Sequence, residues 1–125
     1  MRKESEYLIK QAEVDLHNAE KLLKEEAYDL VSFLSHQVAE KALKAVAYEK
    51  LKEMPPKTHN LREYAELLNA PLDISLACRD LTPHYITSRY PDAIGGAPFE
   101  IYTEETAKNL LKKAKKVLEW SKEKL

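Results

Sequence analysis

The stretch VSFLSHQVAEKALKAVAYEK, residues 31–50, decides the fold of this 125-residue chain. Its apolar side chains recur at every third or fourth position, which is the spacing of one face of an α-helix. Pro55 and Pro56 follow shortly afterwards, and neither residue can continue a helix. We therefore predict a helix over residues 29–52 whose buried stripe consists of Val31, Leu34, Val38, Ala42 and Ala45.

Helical spacing of apolar residues continues on both sides of this helix. It predicts a first helix over residues 4–24 and a last helix that begins after the cap residue Thr103. Between them we expect two shorter helices, one over residues 61–68 with Asn60 as its N-cap and one over residues 72–81. The sequence therefore predicts an all-α protein, a single bundle of four to five helices.

Two details of this bundle are specific enough to test. In the fourth helix, Leu72, Leu76 and Ala77 are expected to face the core. Segment 82–101 contains three prolines and both glycines of the chain, so it is expected to be mostly loop. No internal repeat or low-complexity tract divides the chain, and residues 1–125 are expected to form one domain.

Charge and hydropathy narrow the possible classes of function. The 20 basic and 21 acidic residues give a formal net charge of −1, so no overall positive field attracts nucleic acid. The charged fraction of 33% resembles that of proteins from thermophiles, which are enriched in charged residues. No apolar run reaches the roughly 20 residues of a membrane span. These features predict a soluble, cytoplasmic protein without membrane contact.

Neither disulfides nor metal ions are expected. Cys78 is the only cysteine, which excludes an internal disulfide, and its place on a helix predicts a buried, inert thiol. The four histidines are scattered along the chain without a recognisable ligand spacing. No glycine-rich turn between a strand and a helix is present, which excludes a dinucleotide or P-loop site. We therefore predict no metal site and no cofactor.

The second helix carries a polar line beside its apolar stripe. Gln37, Glu40 and Lys44 fall on one face, and Glu40 precedes Lys44 by four residues, the favoured orientation for an intrahelical ion pair. The line is either a solvated helix face or a polar contact between helices or subunits. His36, beside the line, is interpreted as a surface histidine or one whose hydrogen bonds are satisfied.

The loop after the fourth helix is the richest stretch for chemistry. Arg79 and Arg89 can each hold a phosphate bidentately, and His84 can act as an acid or a base near neutral pH. Tyr85 and Tyr90 offer ring faces on which a nucleobase can stack. Together these groups match what metal-free RNA cleavage requires.

The same residues also have a structural explanation. Loops gather Arg, Tyr, Pro and Asp because these residues make turns and packed anchors, and Arg89 can pair with Asp92. The last helix poses a similar choice. Its lysines line one side, either as a solvated face or as a stripe that follows RNA, and they are Lys108, Lys112, Lys115 and Lys116.

Taken in order, several segments resemble the HEPN domain. They are AEVDLHNAEKLL at 12–23, Tyr28, QVAEKALKA at 37–45, THNL at 58–61, SRYPD at 88–92 and the last helix around 107–120. The resemblance covers nearly the whole chain. It implies an up-and-down helical bundle that usually forms a homodimer and often partners a small nucleotidyltransferase as a toxin–antitoxin pair.

Many HEPN proteins are metal-independent ribonucleases that use an Arg and, a few residues later, a His. Carried over to this chain, the resemblance makes Arg79 the phosphate-holding residue, Asp80 the polar residue that follows it, and His84 the acid or base. Pro83 departs from the pattern because a proline ends or kinks a helix. The kink either folds His84 back toward Arg79 or carries it away.

Three hypotheses of function follow. The first is a metal-independent ribonuclease that uses the three residues just assigned. The second is a non-catalytic module that binds nucleotide or RNA, or docks a nucleotidyltransferase, through Arg89, Tyr90, Tyr85 and Lys44. The third is a helical dimer with a purely structural role.

Overall fold

The structure is a computed structural model that describes residues 1–125, and its regular elements are all helices. Five helices have seven or more residues: α1 (Lys3–Lys24), α2 (Tyr28–Leu51), α3 (Leu61–Leu67), α4 (Leu72–Leu81) and α8 (Glu104–Glu123). Three helices of a single turn lie between α4 and α8: α5 (His84–Thr87), α6 (Pro91–Ile94) and α7 (Pro98–Ile101). The predicted all-α bundle of four to five helices is confirmed.

Helix α2 lies at the centre, and α1 and α8 pack along it. Val38 and Ala42 of α2 contact Ala12 of α1 and Ala114 of α8, and all four residues are fully buried. Small side chains at these contacts allow the helix axes to approach closely. The apolar stripe predicted for α2 is therefore the face that builds the core.

A second part of the core fills the space between α2, α3 and α4. Leu43, Leu61, Tyr64 and Leu81 are all fully buried there. The Cys78 thiol lies among them, and burial raises the pKa of this thiol to about 12. The thiol is therefore protonated at neutral pH, which confirms the prediction of a buried, inert cysteine.

The inward face of α4 differs from the prediction. Leu72 is 74% exposed and Leu76 is 39% exposed, whereas Ala77 is buried as expected. The buried face runs through Ile74, Ala77, Cys78 and Leu81 at steps of three and four residues. Because two residues correspond to about 200° of rotation along an α-helix, burying Ile74 turns Leu72 toward solvent. The prediction for Leu72 and Leu76 was wrong.

The two predicted N-caps are confirmed. The Asn60 side chain accepts a hydrogen bond from the Arg62 N–H, and the Thr103 side chain accepts one from the Thr106 N–H. The expectation of loop between α4 and α8 was wrong in part, because three short helices form there. Two of them begin with a proline at the first helical position, where the missing N–H has no cost.

Neighbouring helices hold the lysine side of α8 through ion pairs. Lys115 Nζ lies 3.5 Å from a Glu20 carboxylate oxygen on α1, and Lys116 Nζ lies 3.3 Å from an Asp73 oxygen on α4. Lys108 pairs with an acidic residue in the first turn of α8. These pairs occupy most of the positive charge, which favours a solvated structural face over an RNA-binding stripe.

Candidate functional site

The polar line of α2 is present as predicted. Glu40 Oε2 lies 3.6 Å from Lys44 Nζ, so the intrahelical ion pair forms. The Glu40 side chain is only 6% exposed. A carboxylate buried to this degree needs more than one partner, because removing a charge from water is costly.

The second partner of Glu40 is His59, in the segment that precedes α3. Its Nδ1 lies 2.7 Å from Glu40 Oε1. The backbone of the same residue is also held, because His36 Nε2 donates to the His59 carbonyl oxygen at 2.8 Å. Burial lowers the pKa of His36, so this imidazole is neutral at neutral pH. The segment that carries His59 is thus fastened to α2 at two points.

The His59 ring stacks on Tyr85. The two ring centroids are 3.6 Å apart and the planes are inclined by 13°. The Arg89 guanidinium carbon lies 4.3 Å from the centroid of the same tyrosine ring. Two groups this close cannot share one face of a ring, so His59 and Arg89 cover opposite faces of Tyr85. Neither face of Tyr85 is left for a nucleobase.

Arg89 is exposed, and three aromatic rings lie beside its guanidinium group. Besides Tyr85, its guanidinium carbon lies 4.8 Å from the Phe33 centroid and 5.1 Å from the Tyr90 centroid. Its Nε donates to the Tyr85 carbonyl oxygen at 2.9 Å. No carboxylate pairs with the Arg89 guanidinium. The ion pair with Asp92 that the sequence allowed does not form. Both terminal amino groups of Arg89 therefore stay available to an anion.

These groups form one surface, which we call the Arg89 surface: Lys44, His59, Tyr85, Arg89 and Tyr90. It combines two cations with aromatic rings, and the His59 side chain is half exposed. Guanidinium and ammonium groups bind phosphate, and aromatic faces bind nucleobases. The arrangement can thus hold an anion that carries a planar group.

The second predicted group lies at the end of α4. Arg79 Nε and Nη2 both lie 3.0 Å from Asp80 Oδ1, and Lys113 Nζ lies 3.7 Å from Asp80 Oδ2. We call these three residues the Arg79 cluster. Asp80 balances the charge of Arg79 from the adjacent position, so this guanidinium is already paired.

The hydrogen bonds of His84 are made to residues outside the Arg79 cluster. Its Nδ1 lies 2.6 Å from the Tyr102 hydroxyl, which in turn lies 2.7 Å from Thr87 Oγ1. Burial is the main cause that lowers the pKa of His84; the positive charge of Lys113 acts in the same direction, and the Asp80 carboxylate opposes both. At neutral pH the imidazole is therefore an uncharged base, and its Nε2 makes no hydrogen bond within the chain.

Pro83 does not reverse the chain between Arg79 and His84. Thr82 and Pro83 both keep right-handed helical angles, with φ/ψ of −53°/−47° and −62°/−24°. Five residues of helical backbone rotate a side chain by about 140° beyond a full turn. Accordingly, no hydrogen bond or ion pair joins Arg79 to His84. The structure brings Arg79 and Asp80 together and places His84 against Tyr102.

The four predicted binding residues, by contrast, lie on one surface. Sequence reasoning missed His59, which belongs to this surface, and Phe33, whose ring lies beside the Arg89 guanidinium. His59 had one signal, its place in the THNL motif at 58–61, but nothing in that motif indicates the contact with Tyr85. Among the described residues, no group of three or more His, Cys, Asp or Glu is arranged to hold a metal ion. None of the helices combines the length and apolar character needed to cross a membrane.

Comparison with known proteins agrees with this fold. The family model of the HEPN domain matches residues 5–125. The chain belongs to the HEPN family. Its structure is similar to the crystal structure of TT1696 from Thermus thermophilus, with a TM-score of 0.90 and 29% identity over 99% of this chain and 100% of that chain. It is also similar to ST0689, an archaeal HEPN homologue, with a TM-score of 0.82 and 37% identity over 98% of this chain and 97% of that chain. A search of curated proteins gives no match.

Proposed function

We propose that this HEPN protein is a non-catalytic module that binds a nucleotide or single-stranded RNA on the Arg89 surface. The observation that carries the proposal is the exposed Arg89 guanidinium, which lies beside three aromatic rings and has no carboxylate partner. An arginine held in this way is oriented before a ligand arrives, so little side-chain entropy is lost on binding phosphate. Lys44 supplies a second cation on the same surface.

The test is the affinity for ATP and for a short fluorescent oligoadenylate, measured by competition and by anisotropy. Arg89→Gln removes the charge and is expected to weaken binding by about tenfold or more, since a hydrogen bond to a charged group contributes about 1.5–3 kcal/mol. Arg62→Gln is the matched control, because Arg62 is exposed and makes no ion pair. Equal affinities of the two variants would contradict the proposal.

The salt dependence supplies an independent check. Binding to single-stranded RNA through phosphate contacts weakens linearly on a log–log plot of affinity against salt concentration. Removing one phosphate contact with Arg89→Gln is expected to reduce that slope by about 0.7. A slope that stays at the wild-type value would place the contact elsewhere.

A second candidate function is metal-independent RNA cleavage by Arg79, Asp80 and His84. The observation in its favour is His84, whose lowered pKa and free Nε2 suit a general base. The test is cleavage of a mixed RNA substrate in excess EDTA by wild type and by His84→Ala. Cleavage that only the wild type performs supports this function. Absence of cleavage by folded wild-type protein leaves the binding function as the proposal.

We also propose that the protein forms a homodimer. Two short helices carry large apolar side chains in contact with solvent, since Phe99 of α7 is 70% exposed and Ile86 of α5 is 52% exposed. Light scattering after size exclusion measures the mass, and Phe99→Asp is expected to shift it from two chains to one. A monomeric wild type would contradict the dimer.

The other partner that the resemblance implies is a small nucleotidyltransferase. Co-purification with a co-expressed small nucleotidyltransferase tests this partner.

A further inference from the structure

Within the Arg89 surface, we infer that His59 is the residue on which the nucleobase of the ligand stacks and that Glu40 is its positioning residue. The inference rests on the proposed function and names the contact that recognises the base rather than the phosphate. It assigns the stacking role to a residue outside the tyrosine-rich loop.

The order of the rings carries the inference. Arg89, Tyr85 and His59 form a layered stack with Tyr85 in the middle, so the tyrosine has no free face. His59 forms the outer layer, and its side chain is half exposed. An imidazole ring of this kind offers one open aromatic face, which is what stacking on a nucleobase requires.

Several contacts fix the plane of the His59 ring. Glu40 Oε1 holds its Nδ1 at 2.7 Å, and the Tyr85 ring supports its inner face at 3.6 Å. The hydrogen bond from His36 to the His59 carbonyl oxygen holds the backbone. A ring that is oriented before binding loses little freedom when the base arrives. Glu40 is almost buried and acts through His59 rather than by touching the ligand.

A lysine lies on α2 one turn after Glu40, the residue that holds His59. Tyr85 packs beside His36, His59 pairs with Glu40, and Lys44 follows one turn later. Lys44 and Lys57 both line a cavity of about 140 Å³ there. For a ligand whose base stacks on His59, the cations that can take a phosphate are Arg89, on the far side of Tyr85, and Lys44, which pairs with the same Glu40 that holds His59. A ligand with a base and more than one phosphate fits this arrangement.

The experiment compares a short oligoadenylate with an abasic oligomer of the same length, which keeps the phosphates and lacks the bases. His59→Leu keeps Tyr85 covered while it removes the aromatic ring, whereas an alanine would expose the tyrosine as a substitute. His59→Leu is expected to weaken oligoadenylate binding by about tenfold and to leave abasic binding unchanged. His59→Phe is expected to restore most of the affinity. His17→Leu, an exposed histidine on α1, is the matched control.

Glu40→Gln tests the positioning role. The substitution also frees Lys44 in every background, so the readout is a difference: Glu40→Gln is expected to weaken oligoadenylate binding several-fold more when residue 59 is His than in the His59→Phe background, where no imidazole is left to hold. A purely structural role for Glu40 would reduce affinity equally in both backgrounds. Circular dichroism and melting curves confirm that each variant is folded.

The outcomes separate this inference from the proposed function. If His59→Leu leaves the ratio of oligoadenylate to abasic affinity at the wild-type value, or weakens both probes equally, the inference is overturned and the proposed function stands. If folded wild-type protein binds neither oligomer nor ATP, the proposed function itself is overturned. A ratio that falls about tenfold in His59→Leu and recovers in His59→Phe establishes the stacking residue.

Discussion

Two arginines ten residues apart in this chain are placed in opposite chemical situations. Arg79 lies beside Asp80, which balances its charge, and the pair is largely exposed. Arg89 lies among three aromatic rings and has no acidic partner. Both arginines are of the type that holds phosphate, yet only Arg89 has its terminal amino groups free within the chain.

The difference teaches that the elements packed beside an arginine decide what it can bind. The Arg89 surface rests on α2, since Phe33 comes from α2, and Glu40 of that helix holds His59. The Arg79 cluster rests on one exposed carboxylate that follows the arginine in sequence. A rigid helix can keep a cation unpaired and oriented, whereas a neighbouring carboxylate neutralises it.

The largest expected difference between the two regions is in stability. Tyr85→Ala removes the middle layer of the ring stack and is expected to lower the free energy of unfolding by about 2 kcal/mol. Arg79→Ala breaks only an exposed ion pair and is expected to change it by less than about 0.5 kcal/mol. Urea denaturation measures the free energy of unfolding of both variants. Equal losses of this free energy would contradict the difference between the two regions.

Acid is expected to destabilise the protein through its buried histidines. Burial lowers the pKa values of His36 and His84 in the folded protein, while the unfolded chain keeps the ordinary value of about 6.5. The unfolded state therefore binds more protons below that value, and stability falls as the pH drops through about 6.5 toward the folded pKa values. His84→Gln removes one of the two contributions. Urea denaturation at about pH 7.5 and about pH 5.5 is expected to show a smaller loss for this variant than for wild type. An unchanged loss would contradict the contribution assigned to His84.

Local patterns made most of the fold predictable. The helical spacing of apolar residues over 31–50 and the N-caps Asn60 and Thr103 each depend on residues that are close together in sequence. The structure confirms them. The inward face of α4 was not decided locally. Its two apolar stripes, one through Leu72 and one through Ile74, compete for burial, and only packing against the other helices selects between them.

The candidate site was predictable only where its residues are close in sequence. Tyr85, Arg89 and Tyr90 were found because they are concentrated in one loop. His59 and Tyr102 contact that loop from 26 and 18 residues away, and no local pattern encodes those contacts. The absence of a direct bond between Arg79 and His84 also depends on backbone angles at Pro83, for which the sequence allowed two outcomes.

A smaller effect, on ligand affinity, is expected when Arg79 loses its carboxylate partner. Asp80→Asn removes the carboxylate that pairs with Arg79 and Lys113. The freed cations are expected to raise the affinity for oligoadenylate about threefold at low salt, because each phosphate contact adds an electrostatic contribution. Asp92→Asn removes the same charge from a residue that pairs with nothing, so it is the control. An equal gain in both variants would attribute the effect to net charge alone.

The smallest expected effect concerns the ion pairs between the long helices. Lys115 pairs with Glu20 across α8 and α1, whereas Lys112 on the same helix makes no ion pair. An exposed pair of this kind contributes at most about 0.5 kcal/mol, and salt screens it. Lys115→Ala is expected to destabilise the protein slightly more than Lys112→Ala at low salt, and the difference is expected to vanish in about 1 M salt. Melting curves at the two salt concentrations measure it. A difference that persists in high salt would show that the Lys115 methylene groups, rather than its charge, stabilise the contact with α1.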